Sequence, residues 1–340
     1  MCMREDKPVQ LPVHIRGNHL TLGKEPVPRG FLSVLAPLCP FPPIPEQSSG
    51  RLEFTQWLFD PCNPLPARVA ANRAWLQLFG RGIVDSPSNF GLRGDAPSHP
   101  ELLDALALSL QQDGWSIKRL LRRILLTDTW QQQSLGDPAN VVRDPDNRFL
   151  WRQHRRRLPA EAIRDSILAT TDSLDRTIGG TLLSTGDRDY VTNDQSGNGA
   201  RYDAPRRSLY LPIIRNAMYD MFVAFDYVDP SVHLEKRPET AIAPQALLMM
   251  NSPFVAKQSE AFAALTLAAT QDEAGRIVFL WQRALQRPPR SDELRAASEY
   301  LRSAQHPNGQ TQGSASDTSL NAWQGLCQTV LCTNEFVYVD

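Results

Sequence analysis

The chain has 340 residues, 41% of them hydrophobic, and its 36 Lys and Arg against 37 Asp and Glu leave a formal net charge of -1. That much apolar material builds a substantial core, and the length corresponds to about two domains or subdomains. The balanced charge leaves no global field to draw nucleic acid or an anionic membrane, so such binding would need a local patch.

The opening "MCMREDKPVQLPVHIRG" has no apolar h-region, and no stretch of the sequence is long and apolar enough to span a bilayer. Nine of the 27 prolines fall in the first 50 residues, including "PLCPFPPIPE", which excludes helix and central strand. Residues 1–48 are therefore expected to be a proline-rich connector or arm, stable only when laid on this domain or on a preceding one. Cys2, Cys39, Cys62, Cys327 and Cys332 form an odd, sparse set without CxxC or CxxCH, which reads as reduced, inert thiols rather than a disulfide scaffold or zinc module.

Helical signals begin at Ser49. "SSGRLEFTQWLF" predicts a short helix, and "NPLPARVAANRAWLQLFGRG" a longer one with Asn63 as N-cap, Pro64 in the first turn and Gly80 or Gly82 as stop. In that helix Leu65, Val69, Leu76 and Phe79 share an apolar face. Arg68 and Asn72 sit within it, where an unpaired guanidinium or amide would cost several kcal/mol. The face must dock against a segment that brings acceptors, either as a polar network locking two segments together or as an anion clamp in a cleft. "SHPELLDALALSLQQDG" carries a capping-box pattern from Ser98 to Glu101, a leucine stripe and Gly114 as stop. "SIKRLLRRILLTDTW" places Ile117, Leu120, Leu121, Ile124 and Leu125 on one face, opposite four cations. "LPAEAIRDSILATTDSL" is a helix started by Pro159.

Residues 179–206 have no sustained period and are expected to be a long irregular loop; "RRSLYLPII" after it is the strand candidate. Helices resume in "APQALLMMNSPFVAKQSEAFAALTLAA", "DEAGRIVFLWQRALQ", "SDELRAASEYLRSA" and "SLNAWQGLCQTVLCTNEF". The fold expected is mainly α: a multi-helix array with one short β element and a long irregular loop. Its divisions are a connector over 1–48, an N-terminal helical subdomain over 49–178, the loop and strand over 179–215, and a C-terminal helical subdomain over 216–340.

No HExxH, P-loop, GxGxxG, GxSxG, EF-hand or zinc-ligand spacing is present. The six histidines are scattered, so neither a metal site nor a cofactor is expected in this chain. Four weaker constellations remain. Arg68 with Asn72, next to Arg73, is the first. Lys118, Arg119, Arg122, Arg123 and "WRQHRRR" (151–157) are basic clusters that suit polyanions, although the solvated setting and neutral total charge argue against nucleic acid. Glu161, Arg164 and Asp165 share one helix side, which suits either acid–base work or a surface ion-pair cluster. Asp187, Asp189, Asn193 and Asp194 supply oxygen ligands in the loop without the spacing of a known calcium loop.

Taken in order, "SSGRLEFTQWL", "NPLPARVAANRAW", "FGRGIVDSPSNFGLRGDAPSHPELLDALA", "GWSIKRLLRRILLTDTWQQQS", "DPDNRFLWRQHRRRLPAEAIRDSIL", "RRSLYLP" and "TNEFVYVD" resemble the domain of unknown function 1553 family, abundant in planctomycetes. The resemblance implies the terminal part of a longer, exported architecture. In that architecture the domain follows a domain of unknown function 1549 and often a cytochrome-c-like segment. No family activity is established, so no catalytic residue carries over. Where the family tends to read Asn-Arg-x-Trp-Gln-His-His-Phe-Gly, this chain has Leu76, Gln77 and Leu78 after Trp75, which weakens any role for imidazoles on this helix. The function expected is a binding or scaffolding module of an exported cytochrome-like assembly, with a missing upstream domain or another protein as partner. The alternative is a hydrolase, acting on polysaccharide, with a cleft near the N-terminal helices where Glu161, Asp165 or His99 meets Arg68.

Overall fold

A computed structural model describes residues 7–182, 202, 204–213, 218–305 and 315–339, with side chains for all of these except 305 and 315–318. It is mainly α-helical, as the periodicity predicts, and divides into two compact units, Met1–His154 and Arg155–Asp340.

The first unit opens with an antiparallel hairpin of β1 (Pro12–His14) and β2 (Leu22–Pro26). Next come α1 (Arg51–Leu58), α2 (Leu65–Phe79), α3 (Pro100–Gln112), α4 (Ile117–Leu125) and the short α5 (Pro138–Arg143). The proline-rich arm lies on this unit. Phe31 packs its ring 4.2 Å from that of Trp57, and the Trp57 indole N–H donates to the Cys39 carbonyl at 2.9 Å. A disulfide joins Cys39 to Cys62, so these two cysteines are not the reduced thiols expected from their spacing. The reason is tertiary: the arm folds back over α1 and brings together side chains that no short motif links. Cys327 and Cys332 do remain free thiols, and burial pushes the Cys327 thiol up to about 12.

Trp75 and Phe79 of α2, Leu103, Leu106 and Leu110 of α3, and Leu120 and Ile124 of α4 form the core of the unit. Gly80 ends α2 in the left-handed conformation, as its position predicts. Two local expectations fail. Asn63 takes up the Leu65 N–H from one residue beyond the observed cap, Pro64. The Ser98–Glu101 capping box does not form, because Ser98 spends both its N–H and its hydroxyl on the Ile83 carbonyl and α3 starts after His99.

The second unit contains β3 (Arg156–Arg157), α6 (Ala160–Thr170), α7 (Asp220–Ala224), α8 (Ala243–Asn251), α9 (Pro253–Ala269), α10 (Glu273–Leu285), α11 (Ser291–Gln305), α12 (Ala315–Leu331), α13 (Asn334–Val337) and β4 (Tyr338–Val339). β4 pairs antiparallel with β3. The run expected as one helix from Ala243 is two, since Pro253 has no N–H to donate and holds Ser252 extended. α9 and α12 pack along each other, and Phe222, Val255, Phe262, Ile277, Leu280, Trp323 and Leu331 are buried among the surrounding helices with Ile163 and Ile167 of α6.

Of "RRSLYLPII", residues 206–213 are described and form no strand; Arg206 makes only an isolated bridge to Asp175. Ser208–Tyr210 forms a single 3-10 turn, because its polar groups are bonded to α6 side chains instead of a neighbouring strand. The short β elements are instead the two pairs given above. The oxygen-rich group Asp187, Asp189, Asn193 and Asp194 lies outside the described residues.

Candidate functional site

The polar residues embedded in α2 find separate partners. Arg68 donates through Nε to Asp104 of α3 at 2.6 Å and through a terminal nitrogen to the Pro64 carbonyl at 3.0 Å. This hydrogen bond holds the Asp104 carboxyl below the usual carboxylate range. Asn72, fully buried, clasps Val84: its amide donates to the Val84 carbonyl and its oxygen accepts the Val84 N–H, both at 2.9 Å. The clasp explains Gly82, where a Cβ would sit 2.3 Å from the Val84 oxygen and 2.9 Å from the Asn72 amide. A network thus ties α2 to α3 and to the following loop, but the buried face of α2 is Ala67, Ala71, Asn72, Ala74, Trp75 and Phe79, whereas Leu65, Arg68, Val69 and Leu76 of the expected face are only half-buried. Arg73 is exposed, and His99 places Nδ1 2.9 Å from the Ser98 hydroxyl.

Beside this clasp lies a cavity of about 190 Å³ whose charged lining is mixed, with Arg81, Arg148 and His154 alongside Asp85 and Asp95. Arg81 and Asp85 approach to 3.2 Å.

In the second unit Glu161, Arg164 and Asp165 take different hydrogen-bond partners, although Arg164 remains 3.7 Å from Asp165. Glu161 accepts two hydrogen bonds from Arg237, at 2.8 and 2.9 Å. Arg164 is fully buried: it donates to the carbonyls of Tyr202, Ala204 and Arg206 and approaches the Ser208 hydroxyl. Asp165 accepts the Ser208 N–H at 2.8 Å and its hydroxyl at 2.7 Å. Adjacent residues of one helix thus satisfy opposite halves of the same backbone segment, the cation its carbonyls and the anion its N–H. Sequence spacing places Arg164 on a charged stripe, but the inward turn of the 202–208 segment buries it.

The basic run 151–157 is likewise structural at its end. Arg157 is buried, 2.7 Å from Asp226, and also donates to the Phe225 and Thr240 carbonyls. Burial works against ionisation of Asp226, yet the bonds from Thr240 and Arg157 together hold its carboxyl below the usual range.

Two concavities border α6. One, of about 700 Å³, runs from Leu158, Ser166 and Ala169 to Arg283, Leu285 and Phe336; another, of about 560 Å³, holds Ala162, Asp165 and Arg207. Both include Ser166, Ala169 and Arg176. Sequence reasoning did not single out Arg176 or Arg207, which carry no periodicity or motif. Among the described residues, Cys39, Asp60 and Cys62 make a trio close enough for a metal ion, but both sulfurs are taken up in the disulfide. No helix among them is long and apolar enough to cross a membrane.

Neither a curated protein nor a solved structure matches this chain. A family model, PSD1, described as "Protein of unknown function (DUF1553)", matches residues 50–301, which takes in α1 through α10, most of α11 and the polar networks described above. The chain therefore belongs to the DUF1553 family.

Proposed function

We propose that the chain is a non-catalytic binding or scaffolding module of an exported, cytochrome-like multidomain assembly. Its partner is an upstream polypeptide of the domain of unknown function 1549 type or its cytochrome-like companion. The observation that carries this reading is the engagement of the candidate acid–base groups in holding the fold: Glu161 with Arg237, Asp165 with Ser208, Arg68 with Asp104. A general acid or base needs a proton-accepting or proton-donating edge open to substrate, and both oxygens of Glu161 and the Oδ1 atoms of Asp165 and Asp104 are taken up in these bonds. The Cys39–Cys62 disulfide supports an oxidising compartment, where such bonds persist.

The test is to purify the chain and the polypeptide encoded immediately upstream, and to measure their association by analytical ultracentrifugation alongside turnover of chromogenic glycosides and esters. Association without turnover is the expected result. Turnover abolished by Glu161→Gln or Asp165→Asn, in protein that remains folded, would overturn the reading in favour of a hydrolase.

A further inference from the structure

We infer that the two cavities bordering α6 form one docking trough for an extended acidic segment of a partner protein. The inference rests on the binding-module reading and names the surface and the chemistry of its occupant.

Which donors of the trough stay open follows from its bonds. Its carboxylates are engaged: Asp165 accepts from Ser208, Asp172 pairs with Arg283, and Glu335 takes two bonds from Arg287, at 2.6 and 2.7 Å. Arg283 is engaged too, with Asp172 and with the carbonyls of Ala169 and Thr170 at the end of α6. Arg176 and Arg207 are exposed and have no hydrogen-bond or ion-pair partner among the described residues. Asp165, Asp172 and Glu335 equal Arg176, Arg207 and Arg283 in number, so what the trough offers a ligand is the two guanidiniums left with open donors, with Arg176 lining both cavities. Two planar forks of this kind suit carboxylates, which they grip bidentately.

The walls identify the rest of the ligand. Leu158, Leu285 and Phe336 line the larger cavity with apolar side chains, together with Arg176. A peptide that alternates acidic and apolar side chains satisfies both features at once, whereas an anionic polysaccharide has carboxylates but no apolar side chains to fill such a wall. α6 has 11 residues. At about 1.5 Å per residue its length matches about five residues of extended chain. Ala162, Ser166 and Ala169 of α6 line the smaller cavity with short side chains, which leaves room for a main chain beside the helix.

The experiment uses the full chain and a fluorescein-labelled short peptide of alternating Glu and Leu, followed by fluorescence anisotropy. The controls are the same peptide with Lys in place of Glu and an oligogalacturonate of similar length. The variant is R176E/R207E; both side chains are exposed, so its circular dichroism and melting temperature should match the parent. Saturable binding of the acidic peptide is expected, with none of the Lys peptide and weakening by about tenfold or more in the variant, more than the loss of two exposed ion pairs because the charges are reversed.

Failure of the acidic peptide to bind, or equal binding by the variant, would overturn the inference. So would tighter binding of oligogalacturonate through the same two arginines, which assigns the trough to a carbohydrate. The upstream polypeptide separates this inference from the reading beneath it. If it associates equally with parent and R176E/R207E, the trough assignment fails and the binding-module reading stands. If it does not associate at all while the acidic peptide binds through the arginines, the reverse holds.

Discussion

Replacing Arg164 with Met removes every donor of the guanidinium while keeping most of the apolar stem. The side chain is fully buried, and it supplies the carbonyls of Tyr202, Ala204 and Arg206 with their side-chain donors. Charge-assisted bonds are worth about 1.5–3 kcal/mol each net. Adding three of them overstates the loss, since the variant no longer desolvates a guanidinium and the freed carbonyls regain water if the segment lifts. Breaking one side of a buried charged network costs about 3–5 kcal/mol, and that is the expected loss here. For a unit of this size it lowers the melting temperature by about 10 °C. Urea denaturation followed by tryptophan fluorescence measures the total. Hydrogen exchange localises it: the Ser208 amide, bonded to Asp165, and the Asp175 amide, bonded to the Pro205 carbonyl, should lose protection before α9 or α12 does. A variant within about 1 kcal/mol of the parent, with unchanged exchange at Ser208 and Asp175, would refute the claim that Arg164 anchors this segment.

Three further outcomes are expected. Cys39→Ser opens a disulfide that spans 23 residues, and the chain-entropy account predicts a loss of about 3 kcal/mol; dithiothreitol should destabilise the parent equally and leave the variant unchanged in a denaturant titration. Gly82→Ala forces a Cβ to within 2.3 Å of the Val84 oxygen, so about 2 kcal/mol or more should be lost; in a double-mutant cycle with Asn72→Ala the two losses should be strongly non-additive, because both break the same clasp. Glu293 is held at about 2, below its ordinary 4.5, chiefly by its hydrogen bond from Arg287, with burial opposing. A depressed carboxyl contributes its full stability above the unfolded value and loses it as pH falls, so the urea midpoint should drop between pH 4.5 and about 2. Glu293→Gln should flatten that limb; an unchanged acid limb would show that the pair with Arg287 does not govern it.

Much of the helical architecture was legible from local pattern. α2, α3, α4, α6, α10 and α11 appear where their apolar spacing and their terminators place them, because a helix closes its own backbone hydrogen bonds and needs from the rest of the fold only a surface for one face. The need for acceptors opposite Arg68 and Asn72 was legible for the same reason, since burial of a polar group demands a partner whatever that partner is. Where the local pattern misled, a distant group had taken over. Ser98 belongs to the Ile83 carbonyl and not to a capping box, and Ser208 belongs to Asp165 and not to a strand.

What only the tertiary structure decided is which partner each such group receives. Arg164 and Asp165 read as part of a solvated stripe, yet one is buried and the two divide a single backbone segment between them. Cys39 and Cys62 have no motif spacing, and it is the arm's return over α1 that makes them neighbours. The trough along α6 is lined by residues from four separated parts of the chain, and its open guanidiniums are identified only once the other charged groups have been paired. Sequence by itself determined where the longer helices lie, through an apolar period that acts over a few residues. The fold determined the polar pairings and the open cations, because hydrogen bonds and charges respond to proximity in space, to which separation along the chain sets no fixed rule.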